Sequence, residues 1–125
     1  MNNYPLGNFL IILKNAHLSG KMSLTTPFSR IKKEVADLLV KSDFLVKAEV
    51  QKNMLSVELV SKEKRPFWQI KLYSKPGRRF YAGSKNIPYF PAPGGVVIMS
   101  TPGGIMSGRE ARKKNLGGEV IAVLW

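Results

Sequence analysis

Two neighbouring hydroxyls, Ser100 and Thr101, stand at the end of an apolar run and directly before Pro102-Gly103-Gly104. Val96-Val97-Ile98-Met99 predicts a buried strand, which puts both hydroxyls on the rigid edge of a Pro-Gly-Gly turn. Behind the turn, Ser107-Gly108-Arg109-Glu110 fits a capping box. In that motif the Ser oxygen accepts a first-turn backbone N–H and the Glu carboxylate accepts the N–H of the Ser. A short helix is expected to start there. Arg112, Lys113 and Lys114 fall in its last turns, where cations suit the negative end of the dipole, and Gly117-Gly118 can supply a left-handed stop. Strand, hydroxyl loop, basic helix and final strand then form one unit suited to hydrogen bonding and to the display of cations.

A second group mixes cations with rings: Lys71, Tyr73, Lys75, Arg78, Arg79, Tyr81 and Lys85. Such a set contacts phosphates through the cations and packs on sugars or bases through the rings. The chain offers little for catalysis. His17 is its one histidine and there is no cysteine, so a thiolate metal site, a thiolate nucleophile and a disulfide are excluded, no metal cluster is expected, and a Ser-His-Asp set would draw on scattered residues. Gly94-Gly95 and Gly103-Gly104 lack the spacing and the lysine of a phosphate-binding loop. Glu110 and Glu119 are not placed together by anything in the sequence. The expectation is a protein that is not an enzyme, with no catalytic residues, no metal and no cofactor. A small hydrolase or nuclease using Ser100 or Glu119 is the alternative from the enzyme class.

The 125 residues carry 20 Lys and Arg against 8 Asp and Glu, a formal charge of +12. An excess of that size points to a polyanionic partner, because it weakens a compact fold unless something offsets it. It is also uneven. Through Ser61 there are 8 basic and 5 acidic residues, and from Lys62 onward 12 and 3. The second half is therefore the expected phosphate-facing half. No apolar run reaches membrane-spanning length and the N-terminus lacks a cationic leader pattern, which reads as a cytoplasmic protein with no membrane partner.

These groups need a scaffold, and the hydrophobic pattern supplies a mixed α/β (α+β) one in two small lobes. Leu6, Phe9, Leu10, Leu13 and Ala16 recur at helical spacing after Pro5, and Ser19-Gly20 closes the helix. Ile11 and Ile12 widen its apolar surface beyond one stripe, so the helix is either buried on several sides or docks on something outside the domain, and a core helix is the first expectation. Met22 to Thr26 predicts a short strand, and Ser29 caps a second helix with Ile31, Val35, Leu38 and Leu39 inward and Arg30, Lys32, Lys33, Glu34 and Asp37 toward water. Phe44 to Val50 and Met54 to Val60 read as a hairpin around Gln51 to Asn53. Lys62-Glu63-Lys64-Arg65-Pro66 is a polar break, so the expected lobes are 1–62 and 63–125, the latter mostly β with one short helix. Trp68, Ile70 and Leu72 alternate with Gln69, Lys71 and Tyr73, a strand with one buried and one polar-basic face. Ser74-Lys75-Pro76-Gly77, continued by Arg78, then fits a type II turn with Pro76 at its second position and Gly77 at its third. Phe80-Tyr81 continues as strand, and Asn86 to Gly95 is an irregular crossing.

Taken together, Ser74-Lys75-Pro76-Gly77, Arg79-Phe80-Tyr81, Ser100-Thr101, Arg109-Glu110-Ala111-Arg112 and Gly117-Gly118-Glu119, in this order and spacing, resemble the bacterial small ribosomal subunit protein eight family. Tyr4-Pro5-Leu6 through Lys14-Asn15-Ala16 and Pro27-Phe28-Ser29 through Leu39 share the likeness, so it covers nearly the whole chain. It implies a two-lobed structural protein that binds the central domain of small-subunit (16S) rRNA early in assembly, beside neighbouring small-subunit proteins and, in some bacteria, on its own messenger RNA. The family's strand Tyr falls on Tyr81, its Ser-Thr-Ser loop on Ser100 and Thr101, and its Gly-Gly-Glu carboxylate on Glu119. With Gly104 these make the expected RNA-reading surface, and Lys75, Arg78, Arg79, Arg109, Arg112 and Lys113 the expected phosphate contacts. A general RNA- or DNA-binding module outside the ribosome is the other alternative. Three departures stand out. Pro102 and Gly103 replace the third loop hydroxyl and a lysine, which lowers the expected affinity. Ile11 and Ile12 stand where the family has polar and basic residues. Tyr89-Phe90-Pro91-Ala92-Pro93 replaces a short helix that prolines forbid.

Overall fold

The computed structural model describes residues 5–66, 68–88 and 94–125; Tyr4 and the Tyr89 to Pro93 replacement lie outside them. Three helices and eight strands follow in the order α1 (Pro5–Leu18), β1 (Ser23–Pro27), α2 (Arg30–Lys41), β2 (Leu45–Gln51), β3 (Met54–Leu59), β4 (Ile70–Leu72), β5 (Tyr81–Ala82), β6 (Val96–Thr101), β7 (Gly104–Ser107), α3 (Gly108–Lys113) and β8 (Gly118–Leu124). The expected α/β mixture is what forms. A three-stranded antiparallel sheet in the order β1-β3-β2 takes the first half. A five-stranded one, β4-β8-β6-β7 with β5 also paired to β8, takes the second.

Local chemistry sets the helix ends. The Ser29 side chain accepts the Lys32 N–H at 3.2 Å and starts α2. All three helices stop in the same way, with a left-handed residue just past the cap: Gly20 at φ 80°, Asp43 at 64° and Asn115 at 55°. Each stop is closed by a 6→1 backbone bond, from Lys21 to Ala16, Phe44 to Leu39 and Leu116 to Ala111. Asn115 thus does the work expected of Gly117-Gly118, because Asn tolerates the left-handed region at little cost. The expected capping box at α3 is half made. Ser107 Oγ accepts the Glu110 N–H at 3.1 Å, but the Glu110 carboxylate lies 3.8 Å from Lys114 Nζ.

Leu6, Phe9, Leu10 and Leu13 of α1, Val35, Ala36 and Leu39 of α2, and Leu55, Val57 and Leu59 of β3 share one apolar cluster with Trp68, Val96, Ile98, Ile121 and Leu124. The two sheets therefore have a common core. On the opposite face of the second sheet, Val97, Met99, Val120 and Val123 pack with Ala111 of α3, Met106 and Ile87. Strands β6 and β8 are covered on both faces, which is why they read as continuous apolar runs. Several side chains depart from the sequence pattern. Ile11, Ile12 and Ile31 are 40%, 50% and 42% exposed, since each helix buries only the stripe that faces the sheets. Tyr73 stays on the face expected to be polar, but α3 covers that face, and the ring packs on the α3-side cluster, edge-on to Phe80 at 5.2 Å.

Two features fix how the halves meet. Trp68 packs between the Phe44 and His17 rings at 5.2 and 5.3 Å, and the Arg65 guanidinium lies 3.8 Å over Phe44 while donating to the Asp43 and Gly94 carbonyls. At the other end of the second sheet the backbones crowd. A Cβ on Gly117 would stand 2.7 Å from the Ala82 carbonyl oxygen, and one on Gly118 would overlap the Ser100 carbonyl. Gly117-Gly118 are thus needed for close approach.

Gly118→Ala must push β6 off β8, and the expected loss is about 1–3 kcal/mol by denaturant unfolding, typical of overpacking; an unchanged midpoint would contradict the crowding. His17 gives a pH signature. Burial lowers its pKa below 6.5, with the Lys62 and Arg65 charges adding to the effect and an Arg65 backbone group opposing it. Neither ring nitrogen has a hydrogen-bond partner among the described residues. The unfolded chain therefore takes up a proton at a higher pH than the folded one, so stability is full above about 6.5 and falls as the pH drops below it. With one histidine in the chain, the thermal midpoint should decline between about pH 7 and pH 5.5, and His17→Gln should remove that slope.

Candidate functional site

Strand β8 lies between β5 and β6, and Glu119 pairs with Tyr81 on one side and Ser100 on the other, while Ser100 pairs on with Ile105 of β7. Directly opposed residues share a face, so Tyr81, Glu119, Ser100 and Ile105 form one row across four strands. A bulge makes this register. Ile98 pairs with Ala122 but Met99 with Val120, so β8 carries one extra residue, Ile121, at that point. Without it Thr101 would stand opposite Glu119 and Ser100 opposite Val120. The row lies on the sheet face that carries α1 and α2, beyond the end of the shared core. Tyr81 is 70% exposed. At the other end of the row a groove of about 290 Å³ is lined by Ser100, Gly104 and Ile105 from the sheet and Arg30, Ile31 and Glu34 from α2.

The row holds one strong acceptor. Glu119 Oε2 lies 3.6 Å from Arg79 Nη1, too far for a hydrogen bond, and this buried oxygen has no hydrogen-bond partner among the described residues. Its charge is met by the Arg79 guanidinium, while its acceptor capacity is unused among the described residues. Arg79 reaches it because the 74–80 segment is bolted to β8. Buried Ser74 donates through Oγ to the Val120 carbonyl at 2.9 Å and accepts the Phe80 N–H at 2.9 Å, and Val120 N–H donates to the Phe80 carbonyl. The turn itself runs from Lys75 to Arg78, which exchange backbone bonds in both directions around Pro76 and Gly77, the latter at φ 76°. Lys75, Arg78 and Arg79 are thereby held at one corner of the sheet.

The remaining expected residues divide. Gly104, at φ 110°, ends the two-residue Pro102-Gly103 turn between β6 and β7 and lines the groove with Ser100. Thr101 is 9% exposed, donates through Oγ1 to the Gly104 carbonyl at 2.9 Å and accepts the Gly103 N–H at 3.1 Å. Arg109, Arg112 and Lys113 ride on α3, whose Ala111 packs with Val97 and Met99 on the sheet face opposite the row. Arg112 Nη2 donates to the Ile87 carbonyl at 2.9 Å and ties α3 to the crossing segment. The structure thus joins Tyr81, Ser100, Gly104, Glu119 and Arg79 on one surface, sets Lys75 and Arg78 in the loop leading to it, and carries the α3 cations on the other face.

Arg30, Ile31 and Glu34 were missed from the sequence, where the helical pattern put Ile31 in the core and the charges in plain solvent. Ser74 was missed too, since nothing local marks its hydroxyl as a cross-strand tie. No group of three or more His, Cys, Asp or Glu able to hold a metal occurs among the described residues, and none of their helices is long and apolar enough to cross a membrane.

The sequence model of the Ribosomal protein S8 family matches residues 4–125. The small ribosomal subunit protein uS8 of Psychrobacter sp. (strain PRwf-1) is 42% identical over 123 residues, covering 94% of this chain and 93% of that protein. The uS8 protein of Ruegeria pomeroyi is 38% identical over 129 residues, covering 98% and 99%, and that of Dictyoglomus turgidum 33% over 126 residues, covering 97% and 96%. A match that runs through both sheets, the shared core and every residue of the row is one of whole chains, and this chain belongs to the ribosomal protein S8 family.

Proposed function

We propose that this chain is a structural, non-catalytic component of the small ribosomal subunit that binds the central domain of 16S rRNA and assists subunit assembly in the cytoplasm, among neighbouring small-subunit proteins. Family membership supports the setting, and the in-register row Tyr81-Glu119-Ser100 carries the reading of the surface. An exposed ring can stack on a base or sugar, a hydroxyl can meet a base edge or a 2′-OH, and a carboxylate accepts from a base amine, which a cation cannot do. Gly104 completes this surface at the turn, which Thr101 braces through its bonds to the Gly104 carbonyl and the Gly103 N–H. Lys75, Arg78, Arg79, Arg109, Arg112 and Lys113 supply the phosphate contacts in residues 63–125, the RNA-binding lobe, where the positive charge is concentrated. The same groups would engage a messenger RNA folded in the same way, the chain's own included.

Cations and row divide the work. Phosphate contacts set affinity without sequence preference, and the row sets discrimination. Binding of a central-domain rRNA fragment, measured from about 50 to 200 mM salt, should show Arg78→Ala flattening the log K against log salt slope by about one unit for cognate and unrelated RNA alike. Ser100→Ala should leave the slope and reduce the preference for the cognate fragment by roughly five- to tenfold, the size of one lost polar contact. Equal effects of both variants on every RNA would refute the division, equal affinity for DNA would favour a general nucleic-acid module, and cleavage of the fragment would favour a nuclease.

A further inference from the structure

Thr101 and Ser100 are neighbours on β6 and therefore point to opposite faces of the sheet. Ser100 opens onto the groove with Arg30, Ile31 and Glu34. The Thr101 hydroxyl goes the other way. A Cβ built on Gly103 would stand 3.2 Å from Leu116 Cδ1, 3.4 Å from Met106 Cε and 3.7 Å from Thr101 Oγ1, and Met106 and Leu116 belong to the α3-side cluster. Its one proton is committed to the Gly104 carbonyl at 2.9 Å and one lone pair to the Gly103 N–H at 3.1 Å.

Those two bonds reinforce a turn whose ends, Thr101 and Gly104, already pair across β6 and β7. Pro102 and Gly103 offer no polar side chain of their own, and Gly104 sits at φ 110°, a conformation open to glycine, so the Thr101 hydroxyl is the side-chain tie of the turn. The hydroxyl grips the turn on both sides of the Gly103-Gly104 peptide and so fixes the wall of the groove that Gly104 and Ser100 share. We infer that Thr101 is a positioning residue, whose hydroxyl clamps the Pro102-Gly103 turn and sets the shape of the RNA-reading groove without touching RNA. The inference rests on the RNA-binding role proposed above, and the carboxylate of Glu119 and the hydroxyl of Ser100 remain the direct contacts.

Thr101→Val keeps the shape and removes both bonds, and Thr101→Ser keeps both. In the free protein, the Gly103 amide should exchange with solvent about tenfold faster in Thr101→Val and close to the parent rate in Thr101→Ser. Against a central-domain rRNA fragment and a panel of its single-base variants, Thr101→Val should weaken binding about tenfold, by the same factor for every member, with Thr101→Ser within about twofold of the parent. Thermal midpoints above the assay temperature for both variants confirm that folded protein is compared. A loss that vanishes when one particular base is changed marks a direct contact and overturns the inference, as does unchanged Gly103 exchange or unchanged affinity in Thr101→Val. If the parent binds the fragment no better than unrelated duplex, the RNA-binding reading falls and the groove-shaping role falls with it, while Gly103 exchange still shows whether the clamp exists.

Discussion

The second sheet depends on how closely three backbones can approach at one point. At Gly117 and Gly118 there is no room for a Cβ, because the Ala82 and Ser100 carbonyls already occupy the space. Only with glycine there can β5 and β6 both pair with the start of β8, and only then does Glu119 stand between Tyr81 and Ser100. The extra residue at Ile121 completes the constraint. It turns Val120 to the α3 side and leaves Ile121 and Ala122 together on the shared core, so a single bulge decides which hydroxyl of the Ser100-Thr101 pair faces the carboxylate. Close packing and register, rather than any one strong bond, create the surface.

The charge distribution makes sense beside a common core. The +12 excess repels itself most in the second half, and that half does not stand alone, since Trp68, Val96, Ile98, Ile121 and Leu124 are packed against the two N-terminal helices. Burial there offsets part of that repulsion. The joint also shows how a cation is used structurally. Arg65 spends its guanidinium on the Phe44 face and two carbonyls, and burial pulls its pKa down while Asp43 opposes that. On α3, Arg112 is likewise tied to a carbonyl, that of Ile87, while Arg109 and Lys113 lie toward solvent.

Much of the fold was legible because it is local. The 3.6-residue spacing of Leu6, Phe9, Leu10 and Leu13, the Ser29 cap, the Lys52-Asn53 turn with both residues at positive φ, and the Pro76-Gly77 turn all follow from chemistry within a few residues. The rest depends on what packs where. Ile31 fits a core stripe in its helix but meets only the edge of the second sheet, and so becomes a wall of the groove. Tyr73 alternates with Leu72 as a solvent-facing residue should, yet the opposite face of that sheet is covered by α3. No period in the sequence reports a second layer. The Gly-Gly pair carries the same ambiguity, for a helix stop and a close approach both ask for glycine and only the neighbouring strands tell them apart.

The turn at Thr101 shows how one departure from a family pattern can be absorbed. Pro102 removes a hydroxyl and an N–H from the loop, but it also restricts φ, so the free chain has fewer conformations to lose. Gly103 removes a cation and leaves the turn floor open to Leu116 and Met106. What remains is a smaller, stiffer loop whose polar groups point inward, with Ser100 and the backbone of Gly104 as its outward face. A stiff uncharged turn contributes less attraction than a flexible cationic one, and it also loses less entropy on binding. Recognition at this corner then falls on geometry, which brings it back to the glycines and the bulge of β8.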